Sequence, residues 1–74
     1  MNHIVVDLEM NPISKKHPAR AVCRSEIIEI GAVLIDENLN EIAAFRTYVR
    51  PEYNIRINPD VEKLTGISFA MVEN

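Results

Sequence analysis

The chain has 74 residues, 47% hydrophobic and 26% charged, with eleven acids against eight bases and a net charge of -3. That composition excludes disorder, low complexity and a sequence-independent nucleic-acid coat held by a basic surface. It leaves open sites that concentrate acid and let divalent cations supply the positive charge.

A chain of this length forms one small domain at most and buries only about 60% of its unfolded surface, so it folds marginally or belongs to something larger. Cys23 is the single cysteine, which excludes an intramolecular disulfide and a cysteine-rich zinc site and fits a reduced, cytoplasmic setting. Acids interrupt the first apolar run and no basic segment precedes it, so no signal peptide is expected. No run approaches the roughly 18 apolar residues of a membrane span.

In chain order, His3 to Met10 reads as a strand with Ile4, Val6 and Leu8 on one face and Val5 on the other. Apolar residues on both faces predict an interior strand. Asp7 and Glu9 end it, and the period of two puts both carboxylates on one face with Cα atoms roughly 6.5 to 7 Å apart, a spacing that can share metal. Asn11 to Arg24 reads as a loop holding Pro12, Pro18 and the basic cluster Lys15, Lys16, Arg20 and Arg24. Such a cluster is ordinarily a solvated connection. The alternative is a set of contacts to a phosphate backbone beside the carboxylates.

Ile27 to Ile35 is the strongest strand, β-branched and apolar on both faces, and Asp36 to Asn40 follows as a turn. Ile42 to Arg50 returns as a third strand stopped by Pro51, completing a hairpin. Glu29 within the apolar strand is paired, at an edge or near a metal, and structural pairing is the favoured expectation. Gly31, two residues on, suggests close approach of another element. From Asn58 to Gly66 the punctuation predicts a short helix: Asn58 caps, Pro59 takes the first position, acids fill the first turn and Gly66 closes it. Val61 and Leu64 should dock that helix on the sheet. Ser68 opens a second helix, Phe69 to Asn74, of under two turns. Three strands and these helices leave at least one sheet face uncovered, so truncation of a longer domain is expected.

A D-x-E pair alone is a weak signal. With its context it becomes specific: Val5-Val6-Asp7-Leu8-Glu9-Met10, then Glu26-Ile27-Ile28-Glu29-Ile30-Gly31-Ala32-Val33, then Tyr48-Val49-Arg50-Pro51 and Leu64-Thr65-Gly66-Ile67-Ser68. In order and spacing these blocks resemble the N-terminal half of the DEDD-type 3'-to-5' exonucleases, nearest the branch with a general-base histidine, over nearly the whole chain. The resemblance implies an α/β, ribonuclease H-like fold, a mixed sheet of which this chain would hold the first three antiparallel strands, one short helix and the start of a second. Residues 1–74 would be the N-terminal part of a single, truncated exonuclease domain.

The resemblance further implies that Asp7 and Glu9 are the first two of four acidic metal ligands for two divalent cations. Asp7 would bridge both, and Glu9 would bind the one carrying the attacking water. Hard carboxylate oxygens suit Mg²⁺ or Mn²⁺. Met10 and Leu64 fall where the family packs against the 3'-terminal nucleotide, with ordinary core packing as the alternative. The implied partner is the 3' end of a single-stranded nucleic acid, RNA or DNA, with no membrane; a homo-oligomer is allowed but not required. The family's remaining ligands and its histidine lie beyond Asn74, and neither His3 nor His17 sits in a matching motif. The 74 residues alone are therefore expected to be inactive. The alternative is a non-catalytic nucleic-acid-binding or assembly module that keeps the sheet without the chemistry.

Overall fold

A long antiparallel ladder dominates the computed structural model, which describes residues 1–73. The strands are β1 (His3–Pro12), β2 (Ser25–Ile35) and β3 (Glu41–Tyr48). A four-residue 3₁₀ turn, Pro18–Ala21, interrupts the β1–β2 connection, and α1 (Pro59–Thr65) and α2 (Phe69–Val72) follow β3. The sheet order is β1-β2-β3. Among the described residues β1 is thus an edge and β2 the centre, which corrects the interior placement expected for β1.

The ladder also runs further than its apolar pattern. Asn11 and Pro12 pair with Glu26 and Ser25, so β1 ends at Pro12 rather than Met10. An edge strand tolerates a proline because that residue need not donate to the ladder. Between Glu9 and Met10 the register shifts: Glu9 faces Glu29, Met10 faces Ile27, and Ile28 is left without a partner on β1. This is a β-bulge, a device that bends a strand and re-aims its side chains. At the other end Asp36 closes the β2–β3 turn, its Oδ1 accepting the N–H groups of Asn38 and Asn40, each at 2.9 Å. The Asn40 bond, opposed by desolvation and aided by Asn38, holds that carboxyl below its ordinary value.

The helices follow their punctuation. Asn58 Oδ1 accepts from Asp60 N at 2.9 Å and Val61 N at 3.4 Å, and Gly66 ends α1 with φ of 77°. Ser68 occupies the N-cap of α2 with extended backbone. The expected extension of this helix to Asn74 falls partly outside the described residues. Val61 packs on the core as expected, but Leu64 is 86% exposed and does not dock.

The core sits at one end of the sheet, where Ile28, Ile57, Ile67 and Val72 are buried together and Val61 and Phe69 pack against them. The rest of the sheet is bare: Ile4, Val5, Val6, Ile42 and Phe45 are all more than half exposed. A packed chain of this length would have a radius of gyration of about 11 Å, whereas this one has 14.9 Å and extends 47 Å along its longest axis. The uncovered sheet face expected from the element count is therefore present.

Asn11 ties this core end to β1. It is 1% exposed, its Nδ2 donates to Arg56 O at 3.2 Å and its Oδ1 accepts from Asn58 N at 2.8 Å. Asn11→Ala should destabilise the fold by about 1–3 kcal/mol, because it empties a buried site and removes two bonds to part-buried main-chain groups. Thermal unfolding checks this, and a loss under about 0.5 kcal/mol, the size of an ordinary surface substitution, would contradict it.

Candidate functional site

The backbone of β1 places Asp7 and Glu9 on one face, near the middle of the strand rather than at its end. Register adds their neighbours: Gly31 lies opposite Asp7 and Glu29 opposite Glu9, while Arg46 of β3 lies across from Gly31. Directly opposed residues have Cα atoms within about 5.5 Å and side chains on the same face. One face therefore carries three carboxylates.

Their partners separate them. Glu29 is largely buried and pairs with Arg46, Oε2 to Nε at 3.7 Å. That is the structural pairing expected for it. Asp7 is exposed and Glu9 half-buried, and among the described residues neither carboxylate takes a hydrogen bond or an ion pair. Two unclaimed hard-oxygen donors on one face suit a divalent cation. Among the described residues no group of three or more His, Cys, Asp or Glu converges, so the set stops at two ligands.

Beside Asp7 a shallow groove of about 430 Å³ runs over Gly31 between Val5, Val33, Ala44 and Arg46. The close approach expected at Gly31 is not seen, since a Cβ there would meet only the main-chain oxygen of Asp7, at 3.8 Å. The glycine instead floors open space. Met10 is 43% exposed and Leu64 86% exposed, so neither belongs to the core that the described residues form. Each is an apolar side chain free to meet a ligand.

The connection after β1 is more ordered than a loop of basic residues suggests. His17 Nδ1 accepts from Ala19 N at 3.0 Å, and its ring meets that of Tyr53 with centroids 5.5 Å apart. His17 is thus a capping residue, a role its sequence neighbour Pro18 hints at. Arg20 Nη1 donates to Ile13 O at 2.7 Å. Arg20 and Lys15 line a second groove with Arg56, which the sequence does not group with them.

The exonuclease family model (RNase_T) matches residues 4–74. No curated protein sequence matches the chain. Among solved structures, a full-length 3'-exonuclease superposes with a TM-score of 0.78 at 30% identity, covering 99% of this chain and 23% of that one. A 3'-exonuclease in specific recognition of a histone mRNA stem-loop 3' end gives 0.78 at 30% identity, covering 99% and 32%. The nuclease domain of 3'hExo, a DEDDh family member bound to rAMP, gives 0.77 at 30% identity, covering 99% and 36%. The chain thus spans from just under a quarter to just over a third of these structures. The three antiparallel strands and short helices match the start of their ribonuclease H-like fold. Among the described residues no helix is long and apolar enough to cross a membrane.

Proposed function

Since the chain belongs to the exonuclease family whose model spans residues 4–74, we propose that it is the N-terminal part of one exonuclease domain acting on 3' ends of single-stranded nucleic acid. The observation that carries this reading is the contrast on one sheet face: Glu29 is held by Arg46, while among the described residues Asp7 and Glu9 are left without partners. Carboxylates at that spacing would hold Mg²⁺ or Mn²⁺, two cations in the complete domain. When bound, such cations activate water and stabilise the leaving oxygen of a phosphodiester.

The chain's own residues do the rest. Asp7 and Glu9 position the charge, fixed by the ladder rather than by a loop. Met10 and Leu64 offer apolar surface to the terminal nucleotide, and the Gly31 groove leaves room beside Asp7. The missing third and fourth ligands belong to the remainder of the domain, so the 74 residues alone should bind metal weakly and not hydrolyse.

The second reading is a non-catalytic module that binds nucleic acid or assembles with other copies. One experiment separates the two. The complete domain is given 5'-labelled and 3'-labelled single strands with Mn²⁺ and with chelator. Stepwise shortening of the first label and immediate release of the second as mononucleotide, both abolished by chelator, is the expected result. Retention without hydrolysis would establish the second reading instead.

A further inference from the structure

The whole chain is acidic, yet among the described residues one groove has only cations as its charged lining. It measures about 280 Å³ and lies at the junction of β1, the following connection and the segment before α1. Lys15, Arg20 and Arg56 line it together with Asn11, Asn54 and Asn58, and no acid does. The nearest carboxylate by register, Glu26 opposite Asn11, is turned elsewhere: its Oε2 accepts from Tyr53 N at 3.1 Å and its Oε1 is buried.

The groove is also built. Arg20 is anchored on Ile13 O, Asn54 Nδ2 donates to Pro12 O at 3.2 Å, and buried Asn11 bridges Arg56 O and Asn58 N. These bonds hold the connection and the pre-helix segment against the strand end. Asn11 lies two residues past Glu9 on the same strand, so the groove opens roughly 7 Å along the backbone from the second carboxylate. Lys15 and Arg56 make no ion pair among the described residues, which leaves both charges to a ligand.

We infer that this groove binds the sugar-phosphate backbone of a single-stranded nucleic acid, on the 5' side of the terminal nucleotide placed at Asp7 and Glu9. The inference rests on the exonuclease reading of that site. Cations and amides contact phosphates without reading bases, so the groove holds the strand in register without choosing sequence. In a chain with net charge -3, such a local positive path favours the approach of a polyanion to an acidic site.

The test is the complete domain carrying Lys15→Glu and Arg56→Glu together, assayed by fluorescence anisotropy in chelator with a dinucleotide and with a strand of about twelve nucleotides. The longer strand should bind roughly tenfold or more weakly, its salt slope should flatten by about 1.4 or more for two lost phosphate contacts, and dinucleotide affinity should not move. Because reversal could disturb the fold, Lys15→Gln with Arg56→Gln is measured beside it and should show a smaller loss in the same direction. Arg50→Glu, outside the groove, should leave both ligands unaffected. Unchanged affinity and slope for the longer strand would overturn the inference, as would equal losses for both lengths or equally tight binding of polyglutamate, which would point to an acidic protein partner. Wild-type protein that trims no strand at all fails the exonuclease reading instead; trimming that survives the reversals at full affinity fails only the groove.

Discussion

Asp7→Ala and Glu9→Ala should each lower metal-dependent trimming by the complete domain about a thousandfold or more, with the fold intact. A cation at a phosphodiester supplies several kcal/mol of transition-state stabilisation, and about 4 kcal/mol corresponds to a thousandfold in rate. Neither carboxylate has a partner to strand among the described residues, and Asp7 is exposed, so little structural loss is expected from either change. Glu9 carries a second consequence. It stands directly opposite Glu29, and like charges in that relation destabilise a ladder by some tenths of a kcal/mol to about 1 kcal/mol. Arg46 relieves Glu29 but not Glu9. Glu9→Gln should therefore raise the melting temperature in chelator while shrinking the upward shift that Mn²⁺ produces in the wild type. Single-turnover rates and melting curves with and without Mn²⁺ measure both effects; a mutant that keeps its rate, or whose Mn²⁺ shift equals the wild type's, removes Asp7 and Glu9 from the site.

Much of this geometry was legible because period and punctuation are local. Alternation placed Asp7 and Glu9 on one face, and the Asn58, Pro59 and Gly66 set marked α1 to the residue. What was not legible depends on partners distant in sequence. Pro12 reads as a strand terminator until β1 is known to be an edge. Leu64 reads as core by its three-residue spacing from Val61, yet so short a helix meets the core through only one of the two. Glu29 was recognisable as a pairing residue, but its partner Arg46 follows only from the register of the hairpin. Lys15 and Arg20 carried a visible charge, whereas Arg56 joins them through Asn11, a polar residue that no apolar pattern would bury. The bulge at Ile28 leaves no mark in composition at all.

Ile28 accordingly carries the largest expected effect on stability. Its side chain is 0% exposed at the centre of the cluster of Ile57, Ile67 and Val72, and its carbonyl accepts Val49 N at 2.9 Å. Ile28→Ala removes buried methyl and methylene groups at a point where two chain segments and a helix meet, which costs about 2–5 kcal/mol with the cavity left behind. A domain this small holds roughly 4–11 kcal/mol in total, and each kcal/mol moves its melting temperature by about 4–8 °C. The mutant should therefore melt about 8–40 °C lower (about 2–5 kcal/mol) or fail to fold in the 74-residue chain. Ile4, equally apolar and on the same sheet, is 70% exposed, and Ile4→Ala in that chain should change stability by no more than about 0.5 kcal/mol. The comparison discriminates because hydrophobicity is matched and only burial differs. Because Ile28 is the residue that the bulge beside Glu9 inserts, a partly folded Ile28→Ala protein should also lose Mn²⁺-induced stabilisation, while Ile4→Ala keeps it. Equal melting shifts for the two alanine mutants would mean that the core does not lie under the bulge.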